Sequence, residues 1–394
     1  MPDVGRVAVI GGGVVGACAG YYLARARVNV LIVDAERPGE LTTSASLAWV
    51  NASAKTAHQA YFALSFAGCR EYEWLVGELP GASWWNPTGH LRWDYRDDRE
   101  LVDAVEQLRT RGYPAEVWEA GRAQALLEPY VAFPSPSALV ALFPSEAWVD
   151  GPKLVRALVD AAVEMGATTA FGSGLRKINI AGTAVSSIEL ASGETHPVEK
   201  VVNAAGPGAA GVARLVGRVL PMQHSPGLAV RVQTSREWVS RLIHPTGIAI
   251  RPDGPRRVFL LARSVEPALR KAGRTSDQLG DEVKRLAARA VPQLAGASVV
   301  ETRLGYRPVP ADGFPLIGKA GDIEGYYEAV THSGITLGPV VGRTLATEIV
   351  HGDIDPLVSP FRASRVVVDV ARSAAHGRPW CWQALTPKPA GWRW

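Results

Sequence analysis

The stretch that most constrains this chain runs from residue 6 to residue 34 and reads RVAVIGGGVVGACAGYYLARARVNVLIVD. Residues 7–10 predict a short buried strand, and Gly11, Gly13 and Gly16 then give the spacing GxGxxG at the turn into a helix. Such glycines allow a tight turn, a close approach of backbone to a pyrophosphate, and close packing of the helix on the strand. The free N–H groups and the positive dipole end of that helix favour a bound phosphate.

A second strand is predicted over residues 29–33, and Asp34 follows it, about 20 residues after the glycines. An acid at this point accepts hydrogen bonds from ribose hydroxyls, which favours FAD or NAD over NADP. GxGxxG alone is a weak signal, but strand, glycines, helix, strand and terminal acid together predict a dinucleotide site. Residues 7–24 carry no charge and also resemble a signal peptide or membrane span. Their glycines and the strand that follows at once disfavour both alternatives.

Composition narrows the class of protein further. With 394 residues the chain has room for two or three domains, at about 150 residues per domain. A net charge of +4 without a basic run argues against nucleic acid as a partner. The three cysteines, Cys18, Cys69 and Cys381, are far apart and lack metal-ligand spacing. We therefore expect a cytoplasmic protein with no metal site and no disulfide framework.

The rest of the chain shows two kinds of predicted pattern, one that alternates helices and strands and one dominated by strands. A helix is predicted over residues 56–79, and a strand over 200–204 in the same sheet as residues 7–10. Paired strands around a turn at Ala181 and Gly182 predict a hairpin over residues 175–191. From about residue 220 the pattern changes to separate strands and one helix, which begins at Thr275 with a capping-box pattern. A mostly antiparallel second domain is the simplest interpretation. Its predicted strands are residues 228–233, 248–251, 258–261 and 299–304.

The order of five motifs resembles that of the flavin-dependent amino-acid and amine oxidoreductases, the family of D-amino acid oxidase, glycine oxidase and sarcosine oxidase. The motifs are GGGVVG with Asp34, TTSASLAW, VVNAAGPGA, GYRPVPADGFPLIG and THSGITLGP. The resemblance covers residues 6–360. It implies an α/β fold in which a Rossmann-like FAD-binding domain carries an inserted α+β substrate domain built on a mostly antiparallel sheet. We expect the FAD-binding domain at 1–80, 140–218 and 305–361, the substrate domain at 81–139 and 219–304, and a Trp-rich tail at 362–394.

The same resemblance implies which residues contact FAD. The turn from His332 to Leu337 would face the flavin pyrimidine, where a helix N-terminus stabilises the negative charge left by hydride arrival. Some members of the family tether the flavin through a cysteine at a position that falls near Gly305, where this sequence has no cysteine. Noncovalent FAD is therefore expected. The expected contacts are Gly11, Gly13, Val14, Val15, Gly16, Asp34, Ala35, Thr43, Ser44, Ala48, Trp49, Leu175, Gly206, His332, Ser333, Gly334, Ile335, Thr336 and Leu337.

Two residues are candidates for catalysis. Arg307 matches the arginine of a GxRP motif that grips the substrate carboxylate in glycine and D-amino acid oxidases, through two parallel hydrogen bonds. The alternative is an arginine paired with Asp312 or another acid at the end of a strand. His332 stands where glycine oxidase-like proteins carry a second arginine, and either contacts substrate or caps the turn.

The function implied is FAD-dependent oxidation of a carboxylate-bearing amine to an imine, by hydride transfer to flavin N5 and then hydrolysis. Residues 258–262 are wholly apolar where sarcosine oxidases carry a lysine that assists oxygen. Two electron acceptors therefore stay open: oxygen, as in an oxidase, or a different acceptor, as in a dehydrogenase. A third alternative is a noncatalytic, flavin-holding subunit of a larger complex, docked through the tryptophans of the tail. The same tail suggests a homo-oligomer, whereas no membrane partner is expected.

Aromatic side chains crowd residues 84–93 of the predicted substrate domain. Trp84, Trp85 and His90, with Trp49 and Asn51, are candidates to line the substrate side of the site. Packing within a hairpin explains each of them at least as well.

Overall fold

The computed structural model describes residues 4–269 and 276–365. The α-helices of this part are α1 (Val14–Arg25), α2 (Gln59–Glu78), α3 (Asp98–Thr110), α4 (Ala120–Leu126), α5 (Gly151–Glu164), α6 (Ala209–Arg214), α7 (Glu266–Leu269), α8 (Ser276–Ala290) and α9 (Gly334–His351). Its strands are β1 (Arg6–Ile10), β2 (Asn29–Asp34), β3 (Trp49–Val50), β4 (Trp85–Asn86), β5 (His90–Arg92), β6 (Glu116–Glu119), β7 (Leu139–Phe143), β8 (Ala147–Val149), β9 (Thr168–Phe171), β10 (Leu175–Ala181), β11 (Ala184–Leu190), β12 (Thr195–Pro197), β13 (Lys200–Asn203), β14 (Met222–Gln223), β15 (Pro226–Gln233), β16 (Leu242–His244), β17 (Ile248–Pro252), β18 (Arg257–Ala262), β19 (Ser298–Tyr306), β20 (Val309–Pro310), β21 (Leu316–Lys319) and β22 (Tyr326–Val330).

The first domain is organised on a six-stranded sheet with the order β21, β22, β13, β1, β2, β9. All neighbours pair in parallel except β21, which runs antiparallel to β22. Ile10 at the end of β1 lies opposite Val33 of β2 and Asn203 of β13. The predicted strands at residues 7–10, 29–33 and 200–204 therefore share one sheet, which confirms their placement.

The two faces of this sheet are covered differently. Val7 and Val9 point to a core made with α1, α2, α5 and α9, whereas Ala8 and Ile10 point to a core made with α6 and the three-stranded sheet β10, β11, β12. Successive residues of a strand point to opposite faces, so a sheet buried on both sides needs a continuous apolar run. This requirement explains the uncharged sequence VAVI. The hairpin predicted over residues 175–191 is confirmed as β10 and β11.

Close packing of two helices completes the first core. On α9, an added Cβ at Gly342 would lie 2.7 Å from the carbonyl carbon of Cys18 on α1, and one at Gly338 would lie 3.3 Å from the Cys18 sulfur. No side chain fits between these backbones. Burial makes Cys18 a small core residue and raises the pKa of its thiol.

The second domain is organised on an eight-stranded sheet with the order β19, β15, β18, β17, β16, β5, β7, β6. Its pairs are antiparallel except β16 with β5, which confirms a mostly antiparallel sheet. Helix α8 packs Leu279, Val283 and Ala287 against one face. The predicted starting residue of that helix, Thr275, lies outside the described residues.

One strand lies in a different sheet from the one expected. The predicted domain limits place residues 140–143 in the FAD-binding domain, but β7 pairs with β5 and β6 in the eight-stranded sheet. Its neighbour β8 pairs with β3 and β4 in a separate three-stranded sheet. The sequence LVALF of β7 is apolar enough for either sheet. Its pairing partners, β5 and β6, are set by the tertiary fold and not by the sequence of the strand itself. The remaining domain limits stay a prediction, and residues 366–394 of the tail lie outside the described residues.

Smaller differences concern the first long helix and the question of a membrane. The helix predicted over residues 56–79 begins at Gln59, after a 3₁₀ turn over Ser53–Lys55. Among the helices that the structure describes, none is both long and apolar enough to cross a bilayer. The uncharged run at residues 7–24 is divided between β1 and the 12-residue α1.

The contact between α1 and α9 predicts a cost for a single methyl group. Gly342→Ala places a Cβ within 3 Å of backbone atoms on α1, so we expect the free energy of unfolding to fall by about 1–3 kcal/mol. Gly77→Ala, near the end of α2, is the matched control, because its Cβ would meet no atom within 4 Å. That variant should be as stable as the wild type or slightly more so, since alanine favours helix. Urea unfolding of both variants measures the difference, and equal stability would refute the tight contact.

Candidate active site

The glycine turn lies at the carboxyl end of β1, with no room for side chains. Gly11 has φ +115°, and an added Cβ would lie 2.3 Å from the Ala204 carbonyl oxygen. A Cβ at Gly16 would lie 1.8 Å from the carbonyl oxygen of Gly11. Gly13 is the N-cap of α1, and Thr43 Oγ1 accepts from the N–H of Val14 at 3.2 Å. The start of α1 therefore presents backbone rather than side chains, as a bound pyrophosphate requires.

Asp34 ends β2 beside this turn. Its carboxylate accepts from the backbone N–H groups of Gly12 and Glu36. A carboxylate has about four acceptor positions, so it can also accept from ribose hydroxyls. Ala35 follows and is exposed, and an added Cβ at Gly174, next to Leu175, would lie 3.2 Å from the Ala35 Cβ. The residues expected at the ribose and adenine thus lie side by side.

The N-terminus of α9 lies against the N-terminus of α1. An added Cβ at Gly334 would lie 3.0 Å from Val15 and 3.4 Å from Val14. The N-cap Ser333 makes no side-chain capping bond, and its hydroxyl lies 2.7 Å from the Tyr61 hydroxyl instead. Two positive helix ends therefore converge at the edge of the parallel sheet, where a diphosphate and an electron-rich ring are both stabilised.

Side chains hold the turn at α9 in place. Thr336 Oγ1 donates to the carbonyl oxygen of Trp49 at 3.1 Å, and Tyr72 donates to the carbonyl oxygen of Ile335 at 2.6 Å. Ala48, just before Trp49, has φ +57°, a left-handed conformation that costs about 1 kcal/mol or more. Leu337 is fully buried. Gly206 lies in the 3₁₀ turn after β13, next to the strand that carries the glycine turn.

Three arginines fix the loop expected to contact FAD. Arg231 donates to the carbonyl oxygen of Ser44 at 3.0 Å, and Arg251 donates to that of Leu47 at 2.8 Å. Arg303 donates to the Ser44 hydroxyl at 2.6 Å. Ser44 therefore serves the attachment of this loop to the eight-stranded sheet, in addition to any contact with the cofactor.

Arg307 lies at the end of β19 in an ion pair that the sequence did not specify. Its Nη2 lies 2.7 Å from Glu266 Oε1, and its backbone N–H donates to the Ser225 carbonyl oxygen at 2.9 Å. The partner first considered, Asp312, pairs with Arg365 at 2.9 Å instead. Both side chains of the Arg307 and Glu266 pair are half-buried.

Two basic residues that no sequence motif indicated lie near Arg307 and His332. Lys55, in the 3₁₀ turn before α2, is buried, and this burial, with the charge of Arg263, lowers its pKa to about 7. Arg263 directly follows β18, one residue beyond the apolar run taken as the strand. Burial, then the charges of Lys55, Arg263 and Arg307, hold the pKa of His332 well below its usual range. We call Lys55, Arg263 and Arg307, which act on the neutral His332, the cationic cluster.

The residues that were candidates to line the substrate side of the site have packing roles. Trp84 is fully buried in the first core, and Trp85 stacks on Tyr72 with ring centroids 5.3 Å apart. His90 is fully buried and Asn51 nearly so. Trp49 is half-buried and donates to Glu146 at 2.7 Å.

The described residues hold no cluster of His, Cys, Asp and Glu that would suit a metal ion.

Comparison with known proteins agrees with this geometry. Residues 6–348 match the family model described as DAO: FAD dependent oxidoreductase. The chain belongs to this family, so it is an FAD-dependent oxidoreductase and the predicted cofactor is confirmed. The backbone turn at Gly11, the convergent helix ends and Asp34 fit FAD.

Relatives match along nearly their whole length. The glycine oxidase of Geobacillus kaustophilus is 25% identical, with 91% of this chain and 96% of that protein covered. The hydrogen cyanide synthase subunit HcnC of Pseudomonas aeruginosa is 24% identical, with 91% and 95% covered. Among solved structures, that glycine oxidase superposes with a TM-score of 0.81 at 24% identity, covering 92% of this chain and all of the other. The L-proline dehydrogenase of P. horikoshii has a TM-score of 0.79 at 19% identity, covering 95% and 99%. The predicted fold class is confirmed.

The lowered pKa of Lys55 predicts a pH-dependent stability. The folded pKa of about 7 lies below the unfolded value, so the unfolded state binds more protons between them and wild-type stability rises with pH in this window. Lys55→Met removes the group, and its gain in unfolding free energy over the wild type should shrink from pH 7 to pH 10, by on the order of 1 kcal/mol per pH unit. Lys177→Met, at an exposed position, is the control. Denaturant titrations with saturating FAD give the values, and a gain independent of pH contradicts the shift.

Proposed function

We propose that this protein oxidises an amine carrying a carboxylate, an amino acid or an N-alkyl amino acid, to an imine that water then hydrolyses. The observation that carries the proposal is Arg307, a half-buried guanidinium at the end of β19 within the cationic cluster. A guanidinium offers a planar pair of donors that matches a carboxylate. Glu266, which accepts from Arg307 Nη2, lies at the position that we assign to the carboxylate of the substrate.

The remaining cations of the cluster support an anionic substrate. Arg263 and Lys55 add positive charge near Arg307, and the burial of Lys55 weakens the screening of its charge by water. A lysine whose pKa is about 7 is partly neutral at physiological pH, so it can donate to a ligand without a full charge. Such surroundings favour binding of one carboxylate and disfavour an amine that lacks one.

When bound, FAD would supply the acceptor for a hydride from the carbon next to the nitrogen. The protein then has to orient that carbon and exclude water, and these two effects are most of what the protein adds to the chemistry of the cofactor. Arg307 fixes the carboxylate end of the substrate, and the uncapped N-terminus of α9 stabilises negative charge on the cofactor. We propose that FAD is held without a covalent bond, since Gly305 stands near the position of a tethering cysteine in related enzymes.

Two relatives support the substrate class by their names alone. The glycine oxidase and the L-proline dehydrogenase are both named for amino acids, which are carboxylate-bearing amines. The electron acceptor is a separate question. The interior of β18 is apolar and carries no lysine, which favours a dehydrogenase as the second candidate. HcnC is named as a subunit, which is consistent with an enzyme that works within a complex.

Anaerobic reduction of the yellow protein by glycine, sarcosine, D-alanine, L-proline and iminodiacetate tests the proposal. We expect one class of carboxylated amine to bleach the flavin. Arg307→Ala should raise the substrate concentration for half-maximal bleaching by about 30–100-fold, the effect of losing a charge-assisted pair of hydrogen bonds. Glu266→Gln should lower it, because Arg307 is released from its ion pair.

Arg176→Ala is the control, since this arginine is exposed and pairs with Glu189 on the hairpin. Unchanged half-saturation in Arg307→Ala would contradict the anchoring role, and bleaching by no carboxylated amine would contradict the substrate class. Admission of air then separates the two candidates: rapid return of the yellow colour indicates an oxidase, and a persistently reduced flavin indicates a dehydrogenase.

A further inference from the structure

Three side chains form a continuous hydrogen-bonded chain beside Trp49. His90 Nδ1 lies 2.8 Å from Glu146 Oε2, and His90 Nε2 lies 2.8 Å from His244 Nδ1. The side chains of His90 and Glu146 are fully buried, whereas His244 is half-buried. We call Glu146, His90 and His244 the carboxylate–imidazole chain.

The surroundings of Glu146 fix the direction of these hydrogen bonds. Trp49 Nε1 donates to Oε2 and the Tyr113 hydroxyl donates to Oε1, both at 2.7 Å. With the carboxylate ionised, His90 donates from Nδ1 to Glu146 and accepts at Nε2 from the Nδ1–H of His244. This leaves Nε2 of His244 as the acceptor at the outer end of the chain.

The outer end of the chain lies towards the cationic cluster. The ring centroids of His244 and Trp49 are 4.6 Å apart. The backbone carbonyl oxygen of Trp49 accepts a hydrogen bond from Thr336, at the start of α9. The charge of Arg263 acts on His244, on His332 and on Lys55 alike. The half-buried imidazole therefore borders the region where we place the substrate.

Resting on the proposed function, we infer that the carboxylate–imidazole chain takes up the proton that a substrate ammonium group loses before hydride transfer. An amino acid is an ammonium ion at neutral pH, and its carbon can give up a hydride only when the nitrogen lone pair is free. Near neutral pH only a small fraction of an amino acid is present as the free amine, so a group that accepts this proton within the site raises the rate. His244 is the member that would touch the substrate, and His90 and Glu146 act through it.

The transfer balances as three proton shifts without movement of electrons between residues. The ammonium N–H bond breaks as an N–H bond forms at His244 Nε2, and the Nδ1 proton of His244 passes to Nε2 of His90. The Nδ1 proton of His90 then passes to Oε2 of Glu146. Both imidazoles are neutral before and after, and the proton ends on the carboxyl group. It returns along the same path to water after product release.

The electrostatics agree with this direction. Burial holds the pKa values of His90 and His244 well below their usual range, with the charge of Arg92 adding to the effect. Burial raises the pKa of Glu146 to about 7. The carboxyl group therefore holds a proton more readily than either imidazole. The other titratable or charged groups that act on the chain are Cys69, Asp94, Tyr95, Tyr113 and Arg263.

Glu146→Gln tests the chain, because the amide preserves shape but cannot accept a proton. Its oxygen can still accept from Trp49 and His90, and its NH₂ group can donate to the Tyr113 oxygen. The rate of anaerobic flavin reduction is measured from pH 6 to pH 10 with the panel amine that reduces the wild type fastest. We expect at least a tenfold loss at pH 7 that disappears as pH approaches the pKa of the free amine. In the wild type, the rate should fall below pH 7 as Glu146 becomes protonated.

Glu128→Gln is the matched control, since Glu128 is also a buried glutamate and bonds to Ser240 and Arg241 away from the chain. Its pH profile should equal that of the wild type. If Glu146→Gln fails to fold or to bind FAD, His244→Asn and His244→Ala decide the question, because His244 is only half-buried. Both should show the same loss at pH 7, and added imidazole should restore the rate in His244→Ala.

The outcomes separate this inference from the proposed function. If no panel amine reduces the wild type, the proposed function fails, and the role of the chain with it. If the wild type is reduced but the Glu146 and His244 variants keep its pH profile, only the proton-uptake role is overturned. A loss that is equal at every pH, without rescue by imidazole, assigns the chain a structural role instead.

Discussion

The structure depends on the close burial of α1 between the parallel sheet and α9. Backbone touches backbone at the glycine turn and again where Gly342 meets Cys18, so neither contact tolerates a side chain. Such close packing fixes the position of α1, because a helix without gaps around it cannot shift relative to its neighbours. The N-terminus of α1 is thereby held at the edge of the sheet, and the N-terminus of α9 is held beside it. The two positive helix ends that suit FAD are consequences of that packing.

The second sheet contributes what the first cannot, namely charged side chains facing the cofactor domain. Arg231, Arg251 and Arg303 attach the loop around Ser44, while Arg263 and Arg307 place positive charge at the site. Buried cations are costly unless they are paired or shift their pKa, and both responses occur here. Arg307 pairs with Glu266, and Lys55 has a pKa of about 7. A substrate carboxylate would complete the neutralisation of these charges.

Local features of the sequence allowed much of the fold to be predicted. The βαβ unit, the hairpin and the separate strands of the second domain follow from periodicity and turns between near neighbours. The placement of residues 140–143 was wrong, because an apolar strand does not specify its partner and β7 pairs with distant strands. Lys55 and Arg263 were missed for a related reason. Neither belongs to a motif, and only the folded chain brings them close to Arg307 and His332.

By itself, the sequence determined that the chain begins with a dinucleotide-binding βαβ unit, because glycine spacing and a terminal acid act over one continuous segment. It also supplied Arg307 as a candidate anchor through a short motif. Only the tertiary structure decided that Arg307 pairs with Glu266, and that Glu146, His90 and His244 share one hydrogen-bonded chain. These residues are up to 154 positions apart, and distances between side chains depend on how the two sheets pack, which no local pattern encodes.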